Sequence, residues 1–294
     1  MNRHTATLLD GDACADQLFL ELGKRAAALV ARGSTPKLVT LLVGDDPASS
    51  AYIGRKHETC ARLGMASEDI RLPADVTQNE LLEIIAIQNA DPMVDGVLVQ
   101  LPLPDGIDAG VVGRAIDPAK DVDGLHPVNM GKLLIGTPDL LPCTPSGILH
   151  LLRAYDVPLA GRRVAIIGRG MLVGRPLAML LSMRGIDAQI TLLHRRCGMH
   201  AAVLRTADAI ISAAGQPDLI TAAMVQPGAT VVGVGISYDN DGQMVSDIAT
   251  DAAQVAGAIT PRHGSVGAMT RAKLMENLVT IASRRADATW RKAR

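Results

Sequence analysis

Aromatic residues are nearly absent from this chain of 294 residues, and their scarcity limits how its core can be built. Phenylalanine, tryptophan and tyrosine together make up 2% of the sequence, whereas apolar residues as a whole make up 48%. A sizeable core must therefore be packed from alanine, valine, leucine, isoleucine and methionine. The length allows either two domains or one large one.

The sequence also lacks an excess of charge and any long apolar run. Its formal net charge is −1, which argues against a nucleic-acid-binding protein and against a polybasic membrane-binding patch. No apolar run reaches transmembrane length, and the N-terminal stretch lacks the apolar core of a signal peptide. We therefore expect a soluble cytoplasmic protein with no nucleic-acid or membrane partner.

Cysteines are few and scattered, at Cys14, Cys60, Cys143 and Cys197. No CxxC pair and no Cys/His ligand spacing is present, so the sequence predicts no metal site. Unpaired thiols are typical of proteins in a reducing cytosol, in agreement with the expected location.

Apolar runs alternate with amphipathic helical stretches, which predicts an α/β fold with parallel strands. A capping box at Thr77 and Glu80 marks one helix start. Proline-rich punctuation from Leu101 to Pro145 predicts long ordered loops rather than regular structure. The predicted strands are 38–43, 68–72, 96–100, 163–167, 188–193, 209–213 and 230–234. The predicted helices are 12–32, 51–63, 77–89, 146–155, one from the turn at 168–176 to about 183, and 270–285, with further helices between the later strands.

A glycine-rich turn follows the strand at 163–167 and opens a helix. Gly168, Gly170 and Gly174 have the spacing G-x-G-x-x-x-G, one residue longer than the usual dinucleotide fingerprint. Glycines let the backbone approach a pyrophosphate, and the helix N-terminus favours the anion. The alternative is a purely structural glycine-rich turn of an α/β domain.

The end of the next predicted strand distinguishes between nucleotide cofactors. NAD-binding domains usually carry an acidic residue there for the ribose 2′-hydroxyl. This chain instead reads His194-Arg195-Arg196, with further positive charge at Arg169 and Arg175 in the turn. Because arginine binds phosphate in a bidentate manner, this pattern favours NADP over NAD. The alternative is that Arg195 and Arg196 are ordinary surface residues.

Tyr52 and Lys56 follow the strand at 38–43 and are four residues apart on a predicted helix, so they share one face. An aromatic platform and an ammonium group would project together near a strand end, where open α/β sheets bind ligands. Such a pair is suited to stacking on a flat substrate and to proton transfer. The alternative is an ordinary surface Tyr–Lys pair.

Three further segments combine polar residues with turns. Gln100 ends a strand at the same predicted sheet edge as Tyr52. Asp121 and Asp123 occupy a polar loop. Residues 264–270 form a glycine-rich turn that enters the last helix. Taken singly, each has a structural alternative: Gln100 as a strand-end cap and the two aspartates as hydrogen-bonding loop residues.

Together and in this order, these segments resemble the bifunctional methylenetetrahydrofolate dehydrogenase/methenyltetrahydrofolate cyclohydrolase family. The similarity covers nearly the whole chain. Its segments are GDDPASSAYIGRKHETCARLGM, VDGVLVQLPLP, DPAKDVDGLHPVNMGKL, PCTPSGIL, GRRVAIIGRGMLVGRPLAMLL and SVGAMT. The first and third are long and specific.

The resemblance implies a two-domain α/β enzyme with a folate site between the domains. A three-layer α/β substrate domain would comprise residues 1–141 and 270–294, and a Rossmann NADP-binding domain would comprise 142–269. The implied reaction is NADP-dependent oxidation of methylenetetrahydrofolate to methenyltetrahydrofolate, then hydrolysis to 10-formyltetrahydrofolate. The implied partners are tetrahydrofolate derivatives and a second copy of the chain in a homodimer.

The resemblance also assigns roles to particular residues. Lys56 would transfer protons, Tyr52 would stack on the folate aminobenzoyl group, Gln100 would hydrogen-bond Lys56, and Asp123 would bind the pterin. A lysine that transfers protons near neutrality needs a lowered pKa, which we expect for Lys56. The implied substrate-binding residues are Tyr52, Val99, Gln100, Leu101, Asp123, Gly264, Val266 and Gly267. The implied cofactor-binding residues are Gly168, Arg169, Gly170, Gly174, Arg195, Arg196 and Ile236.

The chain departs from the family pattern mainly on the cofactor side. Where the family usually has G-R-S, this chain has Gly168-Arg169-Gly170. The usual H-S-x-T corresponds to residues 194–197, in which Arg195 replaces the serine. In the strand at 230–234, Gly233 replaces the usual acidic residue. The usual P-G-G-V-G-P-M-T is HGSVGAMT from His263 to Thr270, which is expected to loosen that turn.

Three alternatives to the full bifunctional activity follow from these departures. One is a cyclohydrolase whose dehydrogenase is weak or has changed cofactor. Another is a non-catalytic folate- or nucleotide-binding paralogue, which would have no need for Lys56, Tyr52, Gln100 and Asp123. The last is a different two-domain NADP enzyme resembling shikimate dehydrogenase, which would leave the YxxxK and KDVDG segments unexplained.

Overall fold

A computed structural model describes residues 6–197, 201–238, 244–262 and 264–292. The described chain divides into two compact units. The six-stranded unit contains the described residues up to Asp16, together with Leu133–Thr137 and Pro142–Thr270. The three-stranded unit contains Gln17–Lys132, Pro138–Leu141 and the described residues from Arg271 onward.

The strands are β1 (Thr7–Leu8), β2 (Lys37–Val43), β3 (Ala66–Leu72), β4 (Gly96–Val99), β5 (Arg163–Ile167), β6 (Gln189–Leu193), β7 (Ala209–Ser212), β8 (Thr230–Gly233), β9 (Ile236–Tyr238), β10 (Met244–Ser246) and β11 (Ala258–Ile259). The α-helices are α1 (Gly11–Ala31), α2 (Pro47–Arg62), α3 (Gln78–Ala90), α4 (Ala109–Ala115), α5 (Pro127–Leu134), α6 (Cys143–Ala154), α7 (Gly174–Leu181), α8 (Ala201–Leu204) and α9 (Val266–Lys292). Within the described residues, no helix is long and apolar enough to cross a membrane.

The three-stranded unit contains a parallel sheet in the order β3-β2-β4. The central strand β2 is buried along almost its whole length, which explains its continuous apolar sequence, whereas the edge strand β3 is polar and largely exposed. Its core is aliphatic, as the composition predicts, and includes Val39, Leu41, Leu81 and Ile85.

Helix α2 begins directly after β2. Asp46 caps it by accepting a hydrogen bond from the Ser49 amide at 2.7 Å, and Pro47 occupies the first turn, where a missing amide hydrogen costs nothing. The helix therefore starts earlier than predicted. As a result, Tyr52 lies in the second turn of α2 and Lys56 in the third.

The six-stranded unit contains a sheet in the order β1-β11-β8-β7-β5-β6, in which every recorded strand pair is parallel. Strand β5 lies between β6 and β7. The chain first continues from β5 to β6 on one side and then crosses to β7 on the other side. This is the switch point at which doubly wound sheets bind nucleotides. A separate antiparallel pair, β9 and β10, follows β8 and was not predicted.

The structure confirms the α/β class with parallel strands and corrects three details. The region 101–145 contains α4 and α5, so the prediction of loops alone was wrong; Asp108 caps α4 through the amides of Gly110 and Val111. Between β6 and β7 the expected helix is the single turn α8, flanked by a 3-10 turn, and between β7 and β8 only a 3-10 turn is present. Finally, β1 pairs with β11, so the chain up to Asp16 belongs to the six-stranded unit rather than to the predicted substrate domain.

Candidate active site and nucleotide site

Lys56 is the centre of a polar cluster in the three-stranded unit. Its side chain is only 3% exposed. Its Nζ donates a hydrogen bond to Oε1 of Gln100 at 3.1 Å and lies 4.5 Å from the ring centroid of the half-buried Tyr52. Burial disfavours an ammonium ion, whereas the amide oxygen and the ring face both stabilise it. The balance between these effects determines how readily Lys56 exchanges a proton.

Gln100 reaches Lys56 because β2 and β4 are parallel neighbours. Its backbone amide extends their ladder by donating to the Leu41 carbonyl at 2.9 Å. Its side-chain Nε2 donates to the Leu101 carbonyl at 2.8 Å, which orients Oε1 toward the amine. Gln100 thus caps a strand end and also contacts Lys56, so both interpretations of this residue apply. Val99 lies half-buried at the end of β4, and Leu101 is exposed.

The two aspartates of the KDVDG loop have different environments. Asp121 is buried and accepts hydrogen bonds from the Gly124 amide, the His126 amide and Asn129 Nδ2, at 3.1, 2.7 and 2.9 Å. It therefore has the structural role that the sequence left open for both aspartates. Asp123 is half-buried, and burial raises its pKa; the nearby Asp121 carboxylate raises it further, and Lys56 opposes the rise.

Pairing beside β4 brings this loop to the cluster. Val97 forms a parallel bridge with Asp121, and the Val97 amide donates to the Lys120 carbonyl at 2.9 Å. Asn277 of α9 supports the loop by donating to the Val122 carbonyl at 2.9 Å. The loop therefore acts as an extension of the sheet, which places Asp123 within electrostatic range of Lys56.

His57 follows Lys56 on α2 and was not predicted as a site residue. Its Nε2 lies 2.8 Å from the hydroxyl of the fully buried Thr40, and that hydroxyl lies 3.2 Å from Oδ1 of Asp69. Burial lowers the pKa of His57, and Lys56 contributes to the lowering, while Asp69 opposes it. The chain of hydrogen bonds ties α2 to β2 and β3. Its only sequence signal was its position beside Lys56.

The remaining implied substrate residues lie in the six-stranded unit, around the start of α9. Gly264 is exposed, Val266 is buried and Gly267 is half-buried; His263 lies outside the described residues. Contrary to the expected loosening, the serine at 265 ties this turn down. Its hydroxyl donates to the Leu9 carbonyl at 2.9 Å and accepts from the Gly11 amide at 3.1 Å.

The glycine-rich turn between β5 and α7 has no room for side chains at two of its glycines. A Cβ atom at Gly168 would overlap the Ala213 carbonyl, and one at Gly174 would overlap the carbonyl of Gly168. Gly170 meets nothing within 4 Å, so its lack of a side chain is not a packing requirement. No side chain caps the start of α7 at Val173, and the Arg175 amide donates to the Gly170 carbonyl at 3.1 Å. A helix start without a side-chain cap favours an anion.

Positive charge surrounds the end of β6 beside that turn. Arg195 and Arg196 are exposed, and Arg169 and Arg196 lower the pKa of His194 together with the leading effect of burial. Cys197 Sγ lies 2.9 Å from His194 Nε2. Because no acidic residue occupies this strand end, the cluster suits a phosphate rather than a free ribose hydroxyl. Ile236, the last implied cofactor residue, begins β9.

Asp247 immediately follows β10 and was not predicted as a site residue. It is fully buried and accepts hydrogen bonds from Ser212 and from three backbone amides of the loop after β7. No local motif marks it, because its partners are more than thirty positions earlier in the chain.

A lysine-centred cluster at one parallel sheet and a glycine-rich turn at the switch point of another define a two-unit α/β nucleotide-dependent enzyme. Comparison with known families agrees. The chain belongs to the tetrahydrofolate dehydrogenase/cyclohydrolase family: residues 9–123 match its catalytic domain and residues 142–286 match its NAD(P)-binding domain.

Solved structures similar to this chain agree with that assignment. A bifunctional methylenetetrahydrofolate dehydrogenase/cyclohydrolase from Campylobacter jejuni is 40% identical, with a TM-score of 0.92 over 95% of this chain and 99% of that one. A 5,10-methylenetetrahydrofolate dehydrogenase from the silkworm Bombyx mori is 38% identical, with a TM-score of 0.91 over 96% and 99%. The bifunctional enzyme from Trypanosoma brucei, solved with NADP and an inhibitor, is 36% identical, with a TM-score of 0.90 over 95% and 98%.

A shikimate dehydrogenase solved with NADP+ shares only the fold, at 13% identity and a TM-score of 0.53. The alternative of a shikimate-dehydrogenase-like enzyme is therefore not supported beyond the architecture.

Proposed function

We propose that this protein oxidises 5,10-methylenetetrahydrofolate with NADP and hydrolyses the methenyl product to 10-formyltetrahydrofolate. The observation that carries the proposal is the cluster of Lys56, Tyr52, Gln100 and Asp123 in a chain that belongs to this family. A purely nucleotide-binding or folate-sensing protein would have no need for a buried lysine with a dedicated hydrogen-bond acceptor.

The residues of the six-stranded unit fit the nucleotide cofactor. Gly168 and Gly174 allow the turn to close tightly, and Gly170 leaves open space in which a pyrophosphate can approach the backbone before α7. Arg169, Arg195 and Arg196 supply charge for a 2′-phosphate. NADP bound there would supply the acceptor for the hydride that leaves the folate methylene carbon. That step needs alignment of the two carbons and little acid–base assistance.

Hydrolysis is the step that needs Lys56. In its neutral form the amine accepts a proton from water as the water oxygen attacks the methenyl carbon. The resulting ammonium then donates a proton to the folate nitrogen that leaves as the ring opens. The hydroxyl of the adduct loses its own proton as the formyl carbonyl forms, and this is the one net proton released, which balances the positive charge of the methenyl cation.

The neighbours of Lys56 support this role. Gln100 orients the amine, Tyr52 presents a ring face on which the aminobenzoyl group of the folate can stack, and Asp123 is available to the polar edge of the pterin. The raised pKa of Asp123 favours its protonated form, which can donate as well as accept hydrogen bonds.

We further propose a cytoplasmic homodimer that provides one-carbon units for purine biosynthesis. The free thiols of Cys14, Cys60 and Cys197 support a reducing compartment. The dimer rests on the family resemblance, and sedimentation of the purified protein tests it.

The deciding experiment is steady-state oxidation of methylenetetrahydrofolate with NADP and then with NAD, following formation and decay of the methenyl form separately. Turnover with NADP and much less with NAD supports the full proposal. Decay of supplied methenyltetrahydrofolate without redox turnover would instead indicate a cyclohydrolase whose dehydrogenase was lost through the changes at Gly170 and Arg195. Neither reaction occurring would overturn the proposal.

A further inference from the structure

The carboxylate of Asp247 holds a loop of the six-stranded sheet through four hydrogen bonds. One carboxylate oxygen, Oδ2, accepts from Ser212 Oγ at 2.7 Å, from the Ala214 amide at 2.8 Å and from the Gly215 amide at 3.3 Å. The other oxygen, Oδ1, accepts from the Gln216 amide at 2.9 Å. A carboxylate that gathers four donors imposes one conformation on the backbone that supplies them.

The loop held in this way, residues 213–216, leaves the carboxyl end of β7 at the switch point of the sheet. Its first carbonyl, at Ala213, lies so close to Gly168 of the glycine-rich turn that no side chain fits between them. The exit of β8 lies against the same carboxylate, because a Cβ atom at Gly235 would overlap both oxygens of Asp247. Asp247 thus supports two neighbouring loops, one after β7 and one after β8.

Topology indicates which half of the dinucleotide these loops face. The pyrophosphate crosses the switch point at the glycine-rich turn after β5. The basic residues that suit the 2′-phosphate follow β6 on one side, so the adenosine half lies toward β6. The nicotinamide half must therefore lie on the other side, over the loops that leave β7 and β8.

We propose that Asp247 is a positioning residue for hydride transfer, which fixes the loops after β7 and β8 that carry the nicotinamide half of NADP. The inference rests on the proposed function. Asp247 and Ser212 are both completely buried, so they act through the loop and not by touching the cofactor. Their effect should thus be confined to the nicotinamide half.

The test compares two ligands of the full-length protein, NADP and adenosine 2′,5′-bisphosphate, the second of which occupies only the adenosine half. In Asp247→Asn, an amide nitrogen replaces one oxygen and opposes a backbone amide. We expect NADP to bind about ten-fold or more weakly and the dehydrogenase kcat to fall about ten- to a hundred-fold, the scale of loss for a small misplacement of reacting atoms. Binding of the bisphosphate and the cyclohydrolase rate should change less than two-fold.

Ser212→Ala keeps the proposal testable if Asp247→Asn folds poorly, because it removes only one of the four donors. It should reproduce the same pattern with smaller losses. Asp251→Asn is the matched control: this carboxylate accepts a hydrogen bond from the Ala222 amide at 3.2 Å at a 3-10 turn of the same unit, and its removal should leave both ligands and both activities unchanged.

An equal loss of NADP and bisphosphate binding would make Asp247 a general structural residue and overturn the inference. Unchanged NADP binding and kcat in both variants would do the same. A parent enzyme that binds NADP but does not oxidise methylenetetrahydrofolate would count against the proposed function alone, because the two binding constants would still decide the role of Asp247.

Discussion

The amine of Lys56 and the amide oxygen of Gln100 lie 3.1 Å apart, although 44 positions separate the two residues in the chain. One comes from a helix and the other from the end of the neighbouring parallel strand. Because both elements leave the same edge of the sheet, the pair brings a proton donor to a neutral acceptor in a nearly dry position. This geometry makes the amine a group whose proton affinity its neighbours can tune.

Replacing Lys56 with glutamine should separate the two proposed activities. Without the amine, the cyclohydrolase rate should fall by about 10²-fold or more, the usual contribution of a general acid–base group. The dehydrogenase should lose less than about ten-fold, because alignment matters more to hydride transfer than proton exchange does. The measurement is methenyl formation and decay in separate assays. Lys24→Gln, an exposed lysine of the same unit, is the control, and a fully active Lys56→Gln enzyme would remove Lys56 from the mechanism.

Substitutions of Gln100 should move the pH profile of hydrolysis in opposite directions. A carboxylate in Gln100→Glu favours the ammonium form, so the pH at which neutral Lys56 becomes available should rise by about one unit or more. Gln100→Met removes the acceptor, so that pH should fall. The test is the cyclohydrolase kcat/KM measured from about pH 6 to about pH 10, a range that includes the usual pKa of a lysine amine. A shift of the same sign in both variants would contradict the assignment of that limb to Lys56.

Arg195 and Arg196 should determine the preference for NADP. Replacing both with alanine removes the charges proposed to meet the 2′-phosphate, so KM for NADP should rise about ten-fold or more, which corresponds to about 1.4 kcal/mol. KM for NAD should hardly change, because NAD lacks that phosphate. Arg184→Ala is the matched exposed control in the same unit. Parallel losses with both cofactors would mean that the arginines act on the fold and not on the phosphate.

Gly233, at the strand position where the family usually has an acid, should tolerate no side chain while Ser246 is present. A Cβ atom at Gly233 would lie 2.5 Å from Ser246 Oγ and 3.0 Å from Ile248 Cγ1, and the serine hydroxyl is held by the Ile248 amide at 3.1 Å. Gly233→Ala should therefore reduce the free energy of unfolding by about 1–3 kcal/mol.

A double-mutant cycle in urea checks the cause of that loss. Ser246→Gly should relieve part of the cost of Gly233→Ala, giving a coupling energy of about 0.5 kcal/mol or more. Gly113→Ala in α4 is the control with the opposite sign, because a Cβ there meets nothing within 4 Å and alanine favours a helix. Additive losses would show that Ser246 is not the obstacle.

Cys197 should be the one thiol of the native protein that reacts rapidly with an aromatic disulfide reagent. It is exposed and contacts His194, whereas the other three cysteines are buried; burial raises the pKa of Cys14 and raises that of Cys60 to about 12. Saturating NADP should slow the reaction, because Cys197 follows the arginines proposed to bind the 2′-phosphate.

The control for this reaction is Cys197→Ser, which should abolish the fast phase and leave the three slow thiols. Release of a second thiol at the same rate, or a rate that is indifferent to NADP, would contradict the placement of Cys197 beside the cofactor.

Local patterns in the sequence were enough to predict the α/β class, most strand positions and the capping box at Thr77. Periodicity, capping and glycine spacing depend only on neighbours in the chain, so they are legible without a structure. The i, i+4 spacing of Tyr52 and Lys56 belongs to this class. The same local logic failed from 101 to 145, where α4 and α5 are too short to produce a clear helical period.

Tertiary structure alone decided which of the polar residues act together. Asp121 and Asp123 are equivalent in the sequence, yet pairing beside β4 makes one a buried hydrogen-bond hub and leaves the other half-exposed with a raised pKa. Asp247 and His57 have no motif, because their partners come from other strands. The strand β1 joins the nucleotide sheet through two residues with no distinctive pattern. Contacts between distant segments arise from burial and strand order, which are properties of the folded chain and not of any short stretch of it.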